Sequence, residues 1–328
     1  MNRVLSLDAR ILQALRNSAT HLTLADLASE SHSTAQAVID SIENLSQAGY
    51  EIESHPHLGI RLVGSPDRLV ADDLITRIGK CSLVREIIVL NETESTNTRL
   101  REMGCAGSEP GAVVFAESQT GGRGRLGRQW ASERGKGLWF SLLLRPELPP
   151  TEWTQLTVWA AVATAQAIEK HTGLCTRIKW PNDIFIENRK VVGILMESVL
   201  NGKGGNHLIA GIGVNVNHQI EDFPEELRER AGSLALALGK PVDRMDLAAQ
   251  ILMELDALLP SAHSDFEKIV FEANRRSFLK NRRVTVELEG RRVQGIAREM
   301  DTRGNLELLL DSGETTRIFS GEVTVTAY

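Results

Sequence analysis

The chain has 328 residues, of which 42% are hydrophobic and 24% charged, a balance that excludes a disordered chain and allows two or three globular domains. No apolar run approaches the roughly 20 residues needed to span a bilayer, and the opening segment up to Asp8 meets charge too early for a secretory signal. The formal net charge is −6, so no global field attracts nucleic acid or anionic membrane, and any anion site must be built from a local cluster.

The first part of the chain, residues 1–64, reads as three helices and two short strands. Leu7, Ile11, Leu12 and Leu15 mark an amphipathic helix. Thr23 is the expected N-cap of a short second helix over Leu24–Ala28. Val38, Ile39, Ile42 and Leu45 form the apolar face of a third, which Gly49 stops. Strands follow at Tyr50–Ser54 and Gly59–Val63, joined by His55–Leu58. Three helices and a β-wing make the winged helix-turn-helix pattern. Residues 65–82 are expected as a linker, with a helix over Leu69–Ile78.

Residues 83–275 form the largest part. Strands are expected at Ile87–Leu90, Ala112–Ala116, Gly137–Leu144, Thr176–Trp180, Val191–Val199 and His207–Val216. Trp153–Lys170 is Ala-rich and apolar on most sides, which predicts a buried helix ending at Gly173. Asp246 is the expected cap of a later helix. Strands and helices alternate too irregularly for a doubly wound fold, so the fold class is α+β with a mixed sheet. In residues 276–328, strands at Val284–Leu288, Arg292–Ala297, Leu306–Leu310 and Thr316–Phe319, with turns at Glu289-Gly290, Asp301–Gly304 and Asp311–Gly313, predict a small β-barrel. Cys81, Cys105 and Cys175 lie far apart without metal or redox spacing, as expected of reduced thiols in a cytoplasmic protein.

The strongest local signal is the run Gly121-Gly122-Arg123-Gly124-Arg125-Leu126-Gly127-Arg128-Gln129-Trp130. Glycines let a backbone approach an anion closely, and guanidinium forks match phosphate and carboxylate oxygens. Gly122–Gly127 also fits G-x-G-x-x-G, but a dinucleotide loop must open into a helix, and residues 131–137 have no apolar helical face. RNA-binding Arg-Gly segments normally occur in long disordered tracts. A solvated basic hairpin is the remaining alternative.

The second signal is Arg177-Ile178-Lys179-Trp180-Pro181-Asn182-Asp183. A lysine at a strand end is a firmly held cation suited to a reacting phosphorus. Asn182 and Asp183 offer oxygen ligands to Mg2+; an exposed lysine beside a turn is the plainer reading. Glu94-Ser95-Thr96-Asn97 could hydrogen-bond a polar head such as a ureido ring, or simply cap a helix. Gly211-Ile212-Gly213-Val214-Asn215 is a strand that could receive a purine edge, or a β-bulge.

Together these residues resemble the biotin–protein ligase family. The run from Gly122 to Trp130 and Lys179-Trp180-Pro181-Asn182-Asp183 carry the resemblance, with Glu94–Asn97, Gln119, Lys190-x-x-Gly193-Ile194-Leu195 and Gly211-x-Gly213-x-Asn215 in the family's order. The terminal parts resemble those of bifunctional bacterial members that also repress a biotin operon. The resemblance implies a winged helix-turn-helix domain, a mixed-sheet biotin/lipoate-ligase-like catalytic domain and an SH3-like β-barrel. It implies that ATP with Mg2+ and biotin are used, and that biotin passes to a lysine of a biotin carboxyl carrier protein. Ser95, Thr96, Asn97 and Gln119 would contact biotin, with Arg123, Gly124 and Arg125 closing over it. Lys179 would meet the biotin carboxylate and the α-phosphate and, with Arg125, stabilise charge. Arg123, Arg125, Arg128, Lys179 and Asn215 would hold ATP or the adenylate. A ligand-linked homodimer follows by analogy alone. The alternatives are a lipoate or octanoate ligase and a repressor that senses biotinyl-adenylate without transferring it.

The DNA operator as a partner meets one physical objection. The expected recognition helix, residues 33–45, contains Asp40 and Glu43 but no lysine or arginine, and residues 1–63 carry more acids than bases. Phosphate neutralisation supplies most non-specific DNA affinity. Thr34, Gln36 and Ser41 are the side chains left to read DNA, so weak or lost operator binding is expected.

Overall fold

A computed structural model describes residues 5–200, 204–288 and 291–326. It divides into two compact units, one of Met1–Lys80 with Asp243–Ala249 and one of Cys81–Val242 with Gln250–Tyr328.

The first unit holds α1 (Leu7–Asn17), α2 (Leu24–Glu30), α3 (Ala35–Gln47), an antiparallel hairpin of β1 (Glu51–His55) and β2 (Gly59–Gly64), and α4 (Ala71–Ile78). Its core joins Ile11 and Leu12 of α1, Leu27 of α2, Val38 and Leu45 of α3, Tyr50 and Ile60. Thr23 caps α2 in a reciprocal capping box with Asp26, and Thr34 caps α3 by accepting from the Ala37 N–H. The chain leaves α3 through Gly49 at φ +96°, a left-handed conformation that favours glycine. Beneath these elements lies a buried charge cluster. Asp73 of α4 is 1% exposed and accepts from Arg77 Nε at 3.0 Å, Arg16 Nη2 at 2.9 Å and the Tyr50 hydroxyl at 2.8 Å.

The second unit continues with β3 (Glu86–Leu90), α5 (Thr96–Cys105), β4 (Ala112–Ala116), β5 (Gly137–Leu144), α6 (Gln155–Thr172), β6 (Arg177–Lys179), β7 (Asp183–Ile186), β8 (Arg189–Val199), β9 (His207–Asn215) and α7 (Leu234–Leu238). Next come α8 (Arg244–Ser264), whose first turns group with the first unit, α9 (Phe266–Arg275), and five strands: β10 (Arg283–Leu288), β11 (Arg291–Met300), β12 (Leu306–Leu309), β13 (Thr315–Ile318) and β14 (Glu322–Val325). The central sheet has the order β3-β4-β5-β9-β8-β7-β6. Its β3/β4 pair is parallel and the others antiparallel, the mixed α+β sheet expected. Every residue of β4 and β5 is buried, which is why both read as continuous apolar runs. Helix α6 is buried along most of its length and ends in left-handed Gly173. Among the described residues no helix is long and apolar enough to cross a membrane.

Several expectations need correction. The strand expected over Thr176–Trp180 is only Arg177–Lys179, because Pro181 has no N–H to continue the ladder and the chain turns at residues 180–182. Asn182-Asp183 has the residue types of a turn, but Asp183 begins β7. The cap of α8 is Asp243, whose carboxylate accepts from the Asp246 N–H at 2.9 Å. The C-terminal strands form an open sheet of order β13-β12-β11-β10-β14. After β13 the chain adds β14 to the free side of β10, so among the described residues β13 and β14 stay unpaired with each other and no barrel closes. The turn expected at Glu289-Gly290 lies outside the described residues.

Candidate active site

The second unit contains a cavity of about 760 Å³. Its walls come from the N-terminus of α5, the arginine-rich loop after β4, the ends of β6 and β7, the glycines of β8 and β9, and residues 321–325. The loop returns on itself as a hairpin. Gly121 N–H donates to Glu94 O at 2.8 Å, Trp130 N–H to Gly122 O at 2.9 Å and Gly124 N–H to Arg128 O at 2.7 Å. Its tip is Leu126 at φ +55° and Gly127 at φ +74°, with Leu126 74% exposed. No apolar helix follows, as the sequence requires for a loop that is not of the dinucleotide type.

The floor is polar and interlocked. Ser95, Thr96 and Asn97 are all buried at the start of α5, and the Ser95 hydroxyl makes no capping bond. Thr96 N–H donates to Gln119 Oε1 at 2.9 Å, and Gln119 Nε2 donates to Ser132 Oγ at 2.8 Å. Ser141 Oγ donates to Asn97 Oδ1 at 2.5 Å, while Asn97 Nδ2 donates to Glu197 at 2.7 Å. Thr96, Asn97 and Gln119 are each oriented by a neighbour, which pre-organises the surface for one polar head.

Glycines make room for this packing. A Cβ on Gly211 would lie 2.2 Å from Asn97 Oδ1. Gly193 and Gly213 are cross-strand partners, and Cβ atoms there would come within 2.6 and 2.7 Å of the Trp130 indole. β8 and β9 pair without a shift in register, so these are close-approach glycines rather than a bulge.

Cations gather on one side. Arg125 Nη1 donates to Asn182 Oδ1 at 3.0 Å, and burial draws its guanidinium below the ordinary range while leaving it charged. Lys179 Nζ stands 5.9 Å from the Phe185 ring centroid and is in no ion pair among the described residues. Burial lowers its ammonium below the ordinary value, against the pull of Asp183. Lys190 Nζ pairs with Asp183 Oδ1 at 2.7 Å and lies 5.2 Å from the Trp130 ring centroid. Arg128 pairs with Glu322 of β14, and Arg123 pairs with Glu197 at 3.2 Å. Asn215 is buried and donates to Gly232 O at 3.0 Å. Near it Phe223 lines the cavity, backed by His218 with ring centroids 4.9 Å apart. Burial pushes the His218 imidazole down to about 4, so this backing is neutral at pH 7.

All the residues expected at the catalytic site line this one cavity: Ser95, Thr96, Asn97, Gln119, Arg123, Gly124, Arg125, Arg128, Lys179 and Asn215, together with Asn182 and Asp183. The groups expected to help hold magnesium are engaged with neighbouring side chains. Asp183 Oδ1 already accepts from Lys190 and Asn182, and Glu322, the other carboxylate on the wall, pairs with Arg128. Mg2+ prefers oxygen ligands and keeps several waters, and the second oxygens of Asp183 and Glu322, both on this cavity wall, are the carboxylate oxygens that could help hold an ion brought by a nucleotide. Among the described residues no group of three or more His, Cys, Asp or Glu is arranged to hold a metal.

The DNA candidates lie in the first unit. Ser41 is buried and hydrogen-bonds Asp8, which corrects its assignment as a DNA reader. Thr34 spends its hydroxyl oxygen on capping α3, and the exposed Gln36 amide donates to Asp40 at 2.8 Å.

Glu197, Ser141 and Ser132 escaped sequence reasoning, and Lys190 was quoted only as part of a motif, with no role as an orienting group. Ser141 carried a signal, being the one polar side chain in Gly137–Leu144. Glu197 follows Gly193 and Leu195 at strand alternation, which puts it on their face.

Residues 89–215 match the biotin/lipoate A/B protein ligase family, and residues 281–325 match the biotin protein ligase C terminal domain. A bifunctional ligase/repressor BirA of Bacillus spizizenii is 40% identical over 217 residues, 66% of this chain and 67% of the relative. A biotin–[acetyl-CoA-carboxylase] ligase of Mycobacterium tuberculosis is 33% identical over 264 residues, 78% of this chain and 94% of the relative. Among solved structures, a biotin protein ligase from Aquifex aeolicus in complex with biotin and ATP has a TM-score of 0.65 at 31% identity, covering 74% of this chain and 99% of that one.

Proposed function

Because the chain belongs to the biotin/lipoate A/B protein ligase family, we propose that it is a biotin–protein ligase that joins biotin and ATP as biotinyl-5′-AMP, with release of pyrophosphate, and then passes biotin to a lysine of a biotin carboxyl carrier domain. The observation that carries this reading is the single cavity with a polar, hydrogen-bonded floor at one side and Lys179 and Arg125 at the other. Such a floor suits the ureido ring, and the cations suit the reacting carboxylate and phosphate.

In the first half-reaction a biotin carboxylate oxygen attacks the α-phosphorus and pyrophosphate leaves. Charge grows on the phosphate oxygens, where Lys179 and Arg125 act as fixed electrostatic partners. Magnesium arrives with ATP as part of the substrate. The Asn215 and Phe223 side of the cavity receives the adenine. In the second half-reaction the carrier amine attacks the anhydride carbonyl carbon and AMP leaves. The anhydride hydrolyses readily, so the arginine hairpin and the Trp130 indole exclude water. Biotin transfer to the carrier lysine, with lipoate in parallel, tests the reading. Labelling is expected with biotin alone, and equal labelling with both acids would sink the substrate assignment.

The three helices and hairpin of the first unit support a winged helix-turn-helix, and a BirA relative carries the name of a repressor. The face expected to meet DNA is nevertheless acidic, with Asp40 and Glu43 exposed on α3. We expect operator affinity weaker than nanomolar at about 0.15 M salt. A gel shift with the protein's own biotin-gene promoter checks this, and a tight, salt-dependent complex would overturn it.

A further inference from the structure

We propose that Glu197 is the positioning residue that latches the arginine hairpin onto the biotin-binding floor. The proposal rests on the ligase reading and adds a residue that the sequence motifs leave out. Glu197 does not line the cavity. It stands on β8 beside it, its side chain 17% exposed, and gathers donors from two elements. Arg101 of α5 reaches Oε1 at 2.7 Å, Asn97 Nδ2 at the start of α5 reaches Oε2 at 2.7 Å, and Arg123 of the hairpin reaches Oε2 at 3.2 Å. Arg123 also donates to Thr98 Oγ1 at 3.1 Å. One carboxylate thus orients the Asn97 amide and holds the base of the hairpin against the same turn of helix.

A carboxylate is required because all three groups donate. Glutamine would turn an NH2 towards at least one of them, and charge-assisted bonds in a half-buried site are the stronger kind. The pairing also divides the work among the hairpin's arginines. Arg123 is paired with Glu197, which it shares with Arg101, and Arg128 is paired with Glu322. Arg125 is in no ion pair among the described residues, and is the hairpin cation left for the reacting phosphate. A hairpin released at Arg123 would bind biotin less firmly and let the anhydride escape before transfer.

The test uses the full chain with Glu197→Gln, and with Arg101→Gln as a comparison that removes a donor but leaves the Arg123 contact. Trypsin cleavage after Arg125, without substrates, is expected to be about tenfold faster in Glu197→Gln, the effect of losing one charge-assisted hydrogen bond, and unchanged in Arg101→Gln. In biotin-dependent pyrophosphate exchange, Glu197→Gln should raise the biotin KM about tenfold, lower kcat by less, and release more free biotinyl-5′-AMP. Wild-type cleavage together with wild-type KM in Glu197→Gln would overturn the latch. A variant that fails to fold is replaced by Arg123→Gln, which breaks the same contact from its more exposed side; because Arg123 also lines the cavity, its cleavage rate alone, expected to rise alike, decides on the latch. Absence of exchange in the wild-type protein would sink the ligase reading instead, while the cleavage rates still decide on the latch.

Discussion

Replacing Lys179 with alanine is expected to slow biotin-dependent pyrophosphate exchange by a factor of about 10²–10³, the usual loss when one pre-organised donor to a charged transition state is removed. Its position explains the size. Lys179 ends β6 and is the cross-strand partner of Asp183 at the start of β7, so both strands hold it. It is in no ion pair among the described residues, and burial draws its ammonium below the ordinary value. The folded protein therefore bears a cation it does not neutralise itself, as expected of a site built to meet an anion. Alanine relieves that desolvation, so the thermal midpoint should stay level or rise while exchange collapses. The sign of the pH effect follows as well. The charged lysine is the active form, and raising the pH through its lowered native pKa should reduce exchange sooner than an ordinary lysine near 10.5 would allow. Exchange is the right readout, because the acceptor amine gains reactivity with pH only in the second half-reaction. A variant that exchanges pyrophosphate at the wild-type rate would remove Lys179 from the chemistry.

The largest stability effect should come from Asp73→Ala. Asp73 serves two guanidinium groups and a phenol at a position 1% exposed. Burial alone would raise its pKa, yet hydrogen bonds from Arg77 and Arg16 hold it below the ordinary carboxylate range. Burial and the neighbouring Asp73 charge push the Tyr50 phenol well above its usual value, so it remains a donor. Removing the carboxylate takes the charged partner from Arg16, the acceptor from Tyr50 and one of the carboxylates from Arg77, which also pairs with Asp246, and costs about 3–5 kcal/mol. For a unit of this size the thermal midpoint should fall by at least about 10 °C. Because the native pKa of Asp73 is depressed, its contribution is present above about pH 4 and is lost as pH falls through the lower native value. Calorimetry of wild type and variant at pH 7 measures the shift. A change under about 1 kcal/mol, the scale of an exposed pair, would mean that the cluster is of little consequence.

What was legible in the sequence was whatever a local pattern determines. The arginine hairpin announced itself because glycine and arginine alternate where a buried strand ends, and Lys179 because proline stops a strand just beyond it. The Thr23 cap and the Gly49 stop were legible for the same reason, since caps depend on a few adjacent residues. Glu197 was not, because its role is to gather donors up to 100 residues away in the chain, as with Asn97. Strand β7 was hidden because Asn182-Asp183 has turn chemistry, although Asp183 already pairs with Lys179 and Gly193. The small barrel was expected from strand spacing alone, whereas closure depends on which edges meet. Ser41 looked available because its residue type is common at DNA contacts; burial against Asp8 is a tertiary fact.

The central claim is best tested by transfer of labelled biotin to the lysine of a purified biotin carboxyl carrier domain, with MgATP, in the wild-type protein beside Lys179→Ala. Robust biotin-dependent labelling that nearly vanishes in the variant is the predicted result. Tight biotin binding with no labelled carrier in the wild type would contradict it, and would make the protein a sensor of its ligand rather than a ligase.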